Sequence, residues 1–212
     1  MLQKIMEKLN KKQLRERISS AILSIALIVS ISGVIGAVAM LVVGNRYDYA
    51  LNKYGFSQGD IGKMMVTFAD TRSNLRAVIG YDEQDLVDSC YDAYNTKKQA
   101  CQEYADEVKN TIVTKSEQEV YDQIVTDLDA YFTVADQIVD MGKDVSDDDS
   151  RADAQLMAQN ELASTYESLY QDMADLMNAT TEAGDRLEKI LNIAMIVLLV
   201  VIIAINVSAF SI

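Results

Sequence analysis

Two stretches without a charged residue, 18–45 and 190–212, bracket a long segment in which apolar residues recur at three- and four-residue intervals. In that middle segment Ile61, Met65, Phe68, Leu75 and Ile79 form one run, and Leu86, Cys90, Tyr94, Cys101, Ala105, Val108 and Ile112 a second. Val120, Ile124, Leu128, Tyr131, Ala135 and Ile138 make a third, and Leu156, Ala163, Tyr166, Tyr170, Met173, Met177 and Gly184 a fourth. This spacing predicts the core-facing sides of bundle helices. No alternating, β-branched strand pattern competes with it.

The breaks between runs carry turn and cap chemistry. Gly80-Tyr81-Asp82 ends the first helix, with Asp82 and Asp85 placed to cap the second. Ser116 and Glu119 have capping-box spacing for the third. Gly142 reads as a stop, and Ser146 as the N-cap of the fourth, followed by Asp147, Asp148 and Asp149 where the helix dipole favours acids. Short turns make neighbouring helices antiparallel. The expectation is an all-α fold: an antiparallel up-down four-helix bundle whose first and fourth helices are continuous with two transmembrane helices.

The uncharged runs supply those transmembrane helices. A helix needs about 20 apolar residues to cross the hydrocarbon core of a bilayer, and both runs are long enough. Ala37-Val38-Ala39 resembles a signal cleavage site, but the preceding apolar run is about twice a signal core of ~7–15 residues. Residues 1–17 hold six Lys/Arg against two Glu, net +4, which places the N-terminus in the cytoplasm. The predicted organisation is a basic cytoplasmic tail (1–17), a span (18–44), an extracytoplasmic bundle (45–189) and a second span (190–212). The chain re-enters the cytoplasm at its end. A small two-span protein and a chain that continues into an output domain both fit.

Composition narrows the function. The chain has no Pro, no Trp and no His. Long helices are therefore uninterrupted, and His-based catalysis and most transition-metal sites are excluded. The middle segment carries 13 Lys/Arg and 30 Asp/Glu, net −17, which makes it a poor partner for nucleic acid. No nucleophile motif, phosphate loop or metal-ligand spacing is present, so the chain reads as a non-enzyme without metal or cofactor. Cys90 and Cys101 lie about 16 Å apart by helical rise, too far for a disulfide within one helix, and read as core thiols. Gly55, Gly59 and Gly62 interrupt the first helix and suit a kink or the close approach of another helix. Gly33 and Gly36 do the same within the span.

A basic tail, a span, a helical bundle and a second span, together with the stretch "TRSNLRAVI" at 71–79, resemble the N-terminal part of methyl-accepting chemotaxis proteins: a four-helix-bundle sensor domain with its two transmembrane helices. The same bundle type occurs on some histidine kinases and cyclases. The resemblance implies a homodimer paired through the first bundle helix. It implies a small extracellular ligand at the membrane-distal dimer interface, held by first-helix arginines, and an output through a cytoplasmic partner or C-terminal domain.

The arginines of that stretch are the candidate site. At about 100° per residue, Arg72 falls in the middle of the stripe drawn through Ile61, Met65, Phe68 and Ile79, and Arg76 at its edge. A charge facing packed helices must be paired or solvated. Three readings stay open: ion pairs with acids of neighbouring helices, stems that snorkel to water, or a pocket for a small anion such as a carboxylate, which arginine's fork grips bidentately. At the same height the fourth helix offers Gln155, Gln159, Asn160, Thr165 and Tyr166, either as hydrogen-bonding partners of a ligand or as a solvated face. The expected function is the sensory module of a transmembrane chemoreceptor. The alternative from another class is a structural stalk or assembly subunit, in which Arg72 and Arg76 are fully salt-bridged inside one bundle.

Overall fold

The computed structural model describes the backbone of residues 2–210 and the side chains of residues 14–16 and 18–208. Lys4, Lys8, Lys11, Lys12 and Arg17, which set the expected orientation, have side chains outside the described residues, and so does the end of the second run. Six α-helices follow in order: α1 (Leu2–Ala50), α2 (Phe56–Gly80), α3 (Gln84–Lys109), α4 (Lys115–Gly142), α5 (Asp148–Met157) and α6 (Ala163–Phe210). Wider π-helical turns at Leu51–Gly55 and Ala158–Leu162 join α1 to α2 and α5 to α6, so the backbone stays helical through both junctions. Among the described residues there is no strand and no positive φ. The chain divides into two compact units, residues 50–186 and residues 1–49 with 187–212.

Residues 50–186 form the four-helix bundle, with α5 and the first part of α6 acting as one helix. Its core follows heptads. Ile61, Phe68 and Leu75 alternate with Met64, Thr71 and Val78 on α2, while Val87, Tyr94, Cys101 and Val108 line α3. Tyr121, Ile124, Leu128, Tyr131, Ala135 and Ile138 line α4, and Leu162, Tyr166, Leu169, Met173 and Leu176 complete the fourth side. Each large apolar side chain buried here contributes about 1.5–3 kcal/mol relative to exposure. Rings cross the middle of the core: Phe68 lies 4.8 Å from Tyr131, edge to face, and 4.9 Å from Tyr166, stacked.

Several residues differ from their expected places. Leu86, Leu156, Ala163 and Tyr170 are exposed, and Val87, Leu162 and Leu169 hold the core positions instead. On α2, Met64 rather than Met65 is fully buried, together with Thr67 and Thr71. The Thr67 hydroxyl donates to the Lys63 carbonyl (2.8 Å) and the Thr71 hydroxyl to the Phe68 carbonyl (2.6 Å). Satisfied in this way, a threonine packs like an apolar residue. The buried stripe of α2 therefore lies about 70° away from Arg72, which stands at its edge rather than its centre.

The caps also shift. α3 begins after Glu83 without a side-chain cap, so Asp82 and Asp85 do not close it. α4 is capped by Thr114, not Ser116: the Glu117 amide donates to Thr114 Oγ1 (3.1 Å) and Glu117 Oε2 accepts from the Thr114 amide (2.8 Å). Both pairs fit the capping-box spacing, but Glu117 is also the one whose carboxylate folds inward to take the Val113 amide (3.2 Å). α5 is capped by Asp147, which accepts from the Ser150 amide (3.0 Å), and Ser146 instead bonds to Asp144 in the preceding turn. Gly142 closes α4 without a left-handed backbone. A Cβ there would fall 2.5 Å from Ile79 Cγ2, so glycine permits the ends of α4 and α2 to touch. Of the α2 glycines, Gly62 faces Met177 across 3.6 Å, while Gly59 has open space beside it.

In the other unit, α1 and the end of α6 are both long and apolar enough to cross a membrane, with little of either apolar stretch buried. Leu23, Leu41, Ile193, Ile196 and Leu199 present their side chains outward, a surface suited to lipid. A polar link joins the two helices: Ser32 Oγ donates to Asn206 Oδ1 (3.1 Å), and Asn206 Nδ2 donates to the Ile202 carbonyl (2.9 Å). Gly36 meets Ile202, whose Cδ1 would lie 3.9 Å from an added Cβ, so small residues sit where these helices approach.

Candidate functional site

Near the Gly80 end of the bundle, α2, α4, α5 and the following π turn part to leave a cleft of about 330 Å³. Arg72, Leu75 and Arg76 line it from α2, Tyr131 from α4 and Gln155 from α5; Ala158, Gln159 and Leu162 come from the π turn and Ala163 from the start of α6. All nine of these lining residues belong to one chain. Three of its lining residues lie in the π turn. Such turns recur at functional sites.

The two arginines occupy one wall, one helical turn apart. Among the described residues neither has a carboxylate within 4 Å, and neither guanidinium has a hydrogen-bond partner. Arg72 is half-buried and Arg76 exposed. The Arg72 guanidinium lies 3.9 Å from the centre of the Tyr166 ring, which itself stacks on Phe68. A guanidinium lying on a ring keeps its in-plane N–H donors free, because the attraction acts through the face. Tyr166 thus serves as a platform that orients Arg72.

Tyr131 is the residue that sequence reasoning assigned to the core alone. Its ring is packed among Phe68, Phe132 and Tyr166, and its hydroxyl is buried without a hydrogen-bond partner. Burial pushes the pKa of that hydroxyl upward, while Arg72 and Arg76 pull it the other way, so both guanidiniums act on the hydroxyl electrostatically. A signal existed: a tyrosine at a heptad core position needs a partner for its O–H that a phenylalanine would not.

The fourth-helix candidates divide. Gln155 and Gln159 line the cleft. Gln155 Nε2 donates to the Ile79 carbonyl (2.8 Å), which leaves its oxygen available. Asn160 is exposed and does not line the cleft. Thr165 donates to the Glu161 carbonyl of its own helix (3.0 Å). Arg151, which sequence reasoning passed over, is buried and pairs with Asp82 at 3.5 Å while its Nη2 donates to the Tyr81 carbonyl, fastening the end of α2 to α5. Elsewhere Tyr94 donates to Asp136 (2.8 Å) and Lys98 pairs with the same carboxylate, a structural link between α3 and α4. Burial raises the Cys101 thiol pKa to about 12, as befits a core thiol, and Cys90 is half-buried. Among the described residues no group of His, Cys, Asp and Glu could hold a metal ion.

Two cations, a buried hydroxyl and two amides face a space with apolar walls at Leu75, Leu162 and two alanines. No curated protein and no solved structure matches the chain. The family described as the four helix bundle sensory module for signal transduction matches residues 11–193, which span the first apolar run, the whole bundle and the start of the second run. The chain belongs to this family of four-helix-bundle sensory modules for signal transduction.

Proposed function

We propose that the chain is the sensory module of a bacterial transmembrane chemoreceptor and that its small extracytoplasmic ligand binds in the cleft beside Arg72 and Arg76. The observation that carries this reading is a pair of arginines with no acidic partner among the described residues, bordering a cleft with a buried, unpartnered hydroxyl. The stalk alternative required both arginines to be salt-bridged within the bundle, and their lack of a described carboxylate partner counts against it.

The basic tail orients the chain with its N-terminus inside and residues 45–189 outside the membrane. Two copies pair through α2, as expected of this family. Ligand in the cleft favours one packing of the π turn and α6 against α2. α6 is a single helix from Ala163 to Phe210, and a shift of about 1–2 Å at its start is the signal that passes along it. The output belongs to a cytoplasmic partner or a C-terminal domain. To test this, the chain is joined after Ile212 to the cytoplasmic part of a chemoreceptor with a known kinase output, and a panel of small carboxylates, amino acids and amines is applied. A response that Arg72→Gln abolishes supports the reading. A response unchanged in Arg72→Gln and Arg76→Gln, or silence across the panel from a properly inserted chimera, would sink it.

A further inference from the structure

The cleft contains two guanidiniums and no carboxylate. An amino acid would bring an ammonium group into the field of two fixed cations, with only neutral amide oxygens to receive it. A dianion, by contrast, would neutralise both arginines, and charge pairing in a half-buried site is worth more than at an open surface. The volume of about 330 Å³ lies at the small end of ligand sites. The free in-plane donors of Arg72, held on the Tyr166 ring, suit one planar carboxylate. The Tyr131 hydroxyl is buried without an acceptor, and Tyr131 lines the same cleft as both arginines, so a ligand oxygen seated there can accept its hydrogen bond.

Resting on the sensory reading above, we propose that the cleft selects small dicarboxylates lacking an ammonium group over amino acids, with Tyr131 as a specificity-determining hydrogen-bond donor. Arg72 and Arg76 supply the charge, and Tyr131 rewards an acceptor at the floor of the site. The hydroxyl is protonated at neutral pH, so it donates rather than repels.

The test uses the full chain in lipid nanodiscs at low salt, titrated calorimetrically with succinate, L-aspartate, acetate and inorganic phosphate. Succinate and aspartate differ only by the amino group, so their ratio isolates the ammonium. Succinate is expected to bind at least about tenfold more tightly than aspartate or acetate, and Arg72→Gln to abolish the heat. Tyr131→Phe keeps the packed ring and removes an unpartnered hydroxyl, so its melting temperature should hold. Its succinate affinity should fall roughly ten- to hundredfold, the scale of a hydrogen bond to a charged group. Aspartate equal to or tighter than succinate, with binding still lost in Arg72→Gln, would overturn the ligand class and leave the sensory site standing. Phosphate tighter than succinate would do the same. Neither acid binding would also overturn the class, and the chimera's panel response judges the sensory reading separately. Succinate binding unchanged in Arg72→Gln would overturn both.

Discussion

Arg72 is held by a ring and not by an acid, and that difference has a measurable size. Losing a cation–π contact at a part-exposed site costs about 0.5–1 kcal/mol. Breaking a buried ion pair costs about 3–5 kcal/mol, because the remaining charge is stranded. Arg72→Gln should therefore lower the unfolding free energy by no more than about 1 kcal/mol, as read by urea denaturation; a loss of several kcal/mol would mean an acidic partner. The sequence made these two arginines conspicuous but misjudged their setting. It took Met65 in place of Met64 and left out Val78, Thr67 and Thr71, so the centre of the stripe rotated toward Arg72. Both threonines are buried because each hydroxyl bonds back to its own helix. Tyr131 was visible as a core residue, yet nothing in its spacing revealed that its hydroxyl would lack a partner.

The helices themselves were legible, because three- and four-residue spacing and short turns leave few other ways to bury the apolar faces. Their ends were less so. Two overlapping capping boxes fit the start of α4, and only the packing of Glu117 against the chain decides for Thr114. Thr114→Ala should cost about 1 kcal/mol, up to about 2, whereas Ser116→Ala should be close to neutral; thermal unfolding of the two variants side by side checks the assignment. Gly142→Ala should destabilise by about 1–3 kcal/mol, the range of overpacking, since the new methyl meets Ile79 at 2.5 Å. Pairing it with Ile79→Val should recover part of that loss. The π turns left no trace in the sequence, since one extra residue per turn changes no composition. Gln155 and Gln159, four residues apart, share the face that reaches the cleft, and Asn160, one residue on, does not line it.

At the scale of the molecule, buried acids set a limit on alkaline stability. Burial raises the pKa of the Cys101 thiol from 9.0 and of the Tyr121 hydroxyl from 10.0, each to about 12, and pushes Tyr94 and Tyr131 upward as well. The folded chain keeps protons that the unfolded chain releases. Their contribution is fully present below the ordinary values of 9.0 and 10.0 and is lost as pH climbs toward about 12. The melting temperature should accordingly fall between pH 9 and pH 11, and a flat profile would contradict the burial of these groups. The residues that line the cleft lie on one chain, so saturation should reach one ligand per chain; a titration that saturates at one per two chains would place the site at a dimer interface. The most direct test of the central claim is thermal unfolding of the full chain in nanodiscs against a panel of small carboxylates, amino acids and amines, repeated on Arg72→Gln and Arg76→Gln. The account predicts that an anion stabilises the native chain, by about 2.7 kcal/mol at a hundred times its Kd, and that both variants melt normally but no longer respond. Variants that melt far earlier than the native chain, with no compound stabilising any of the three, would contradict it and make the arginines structural.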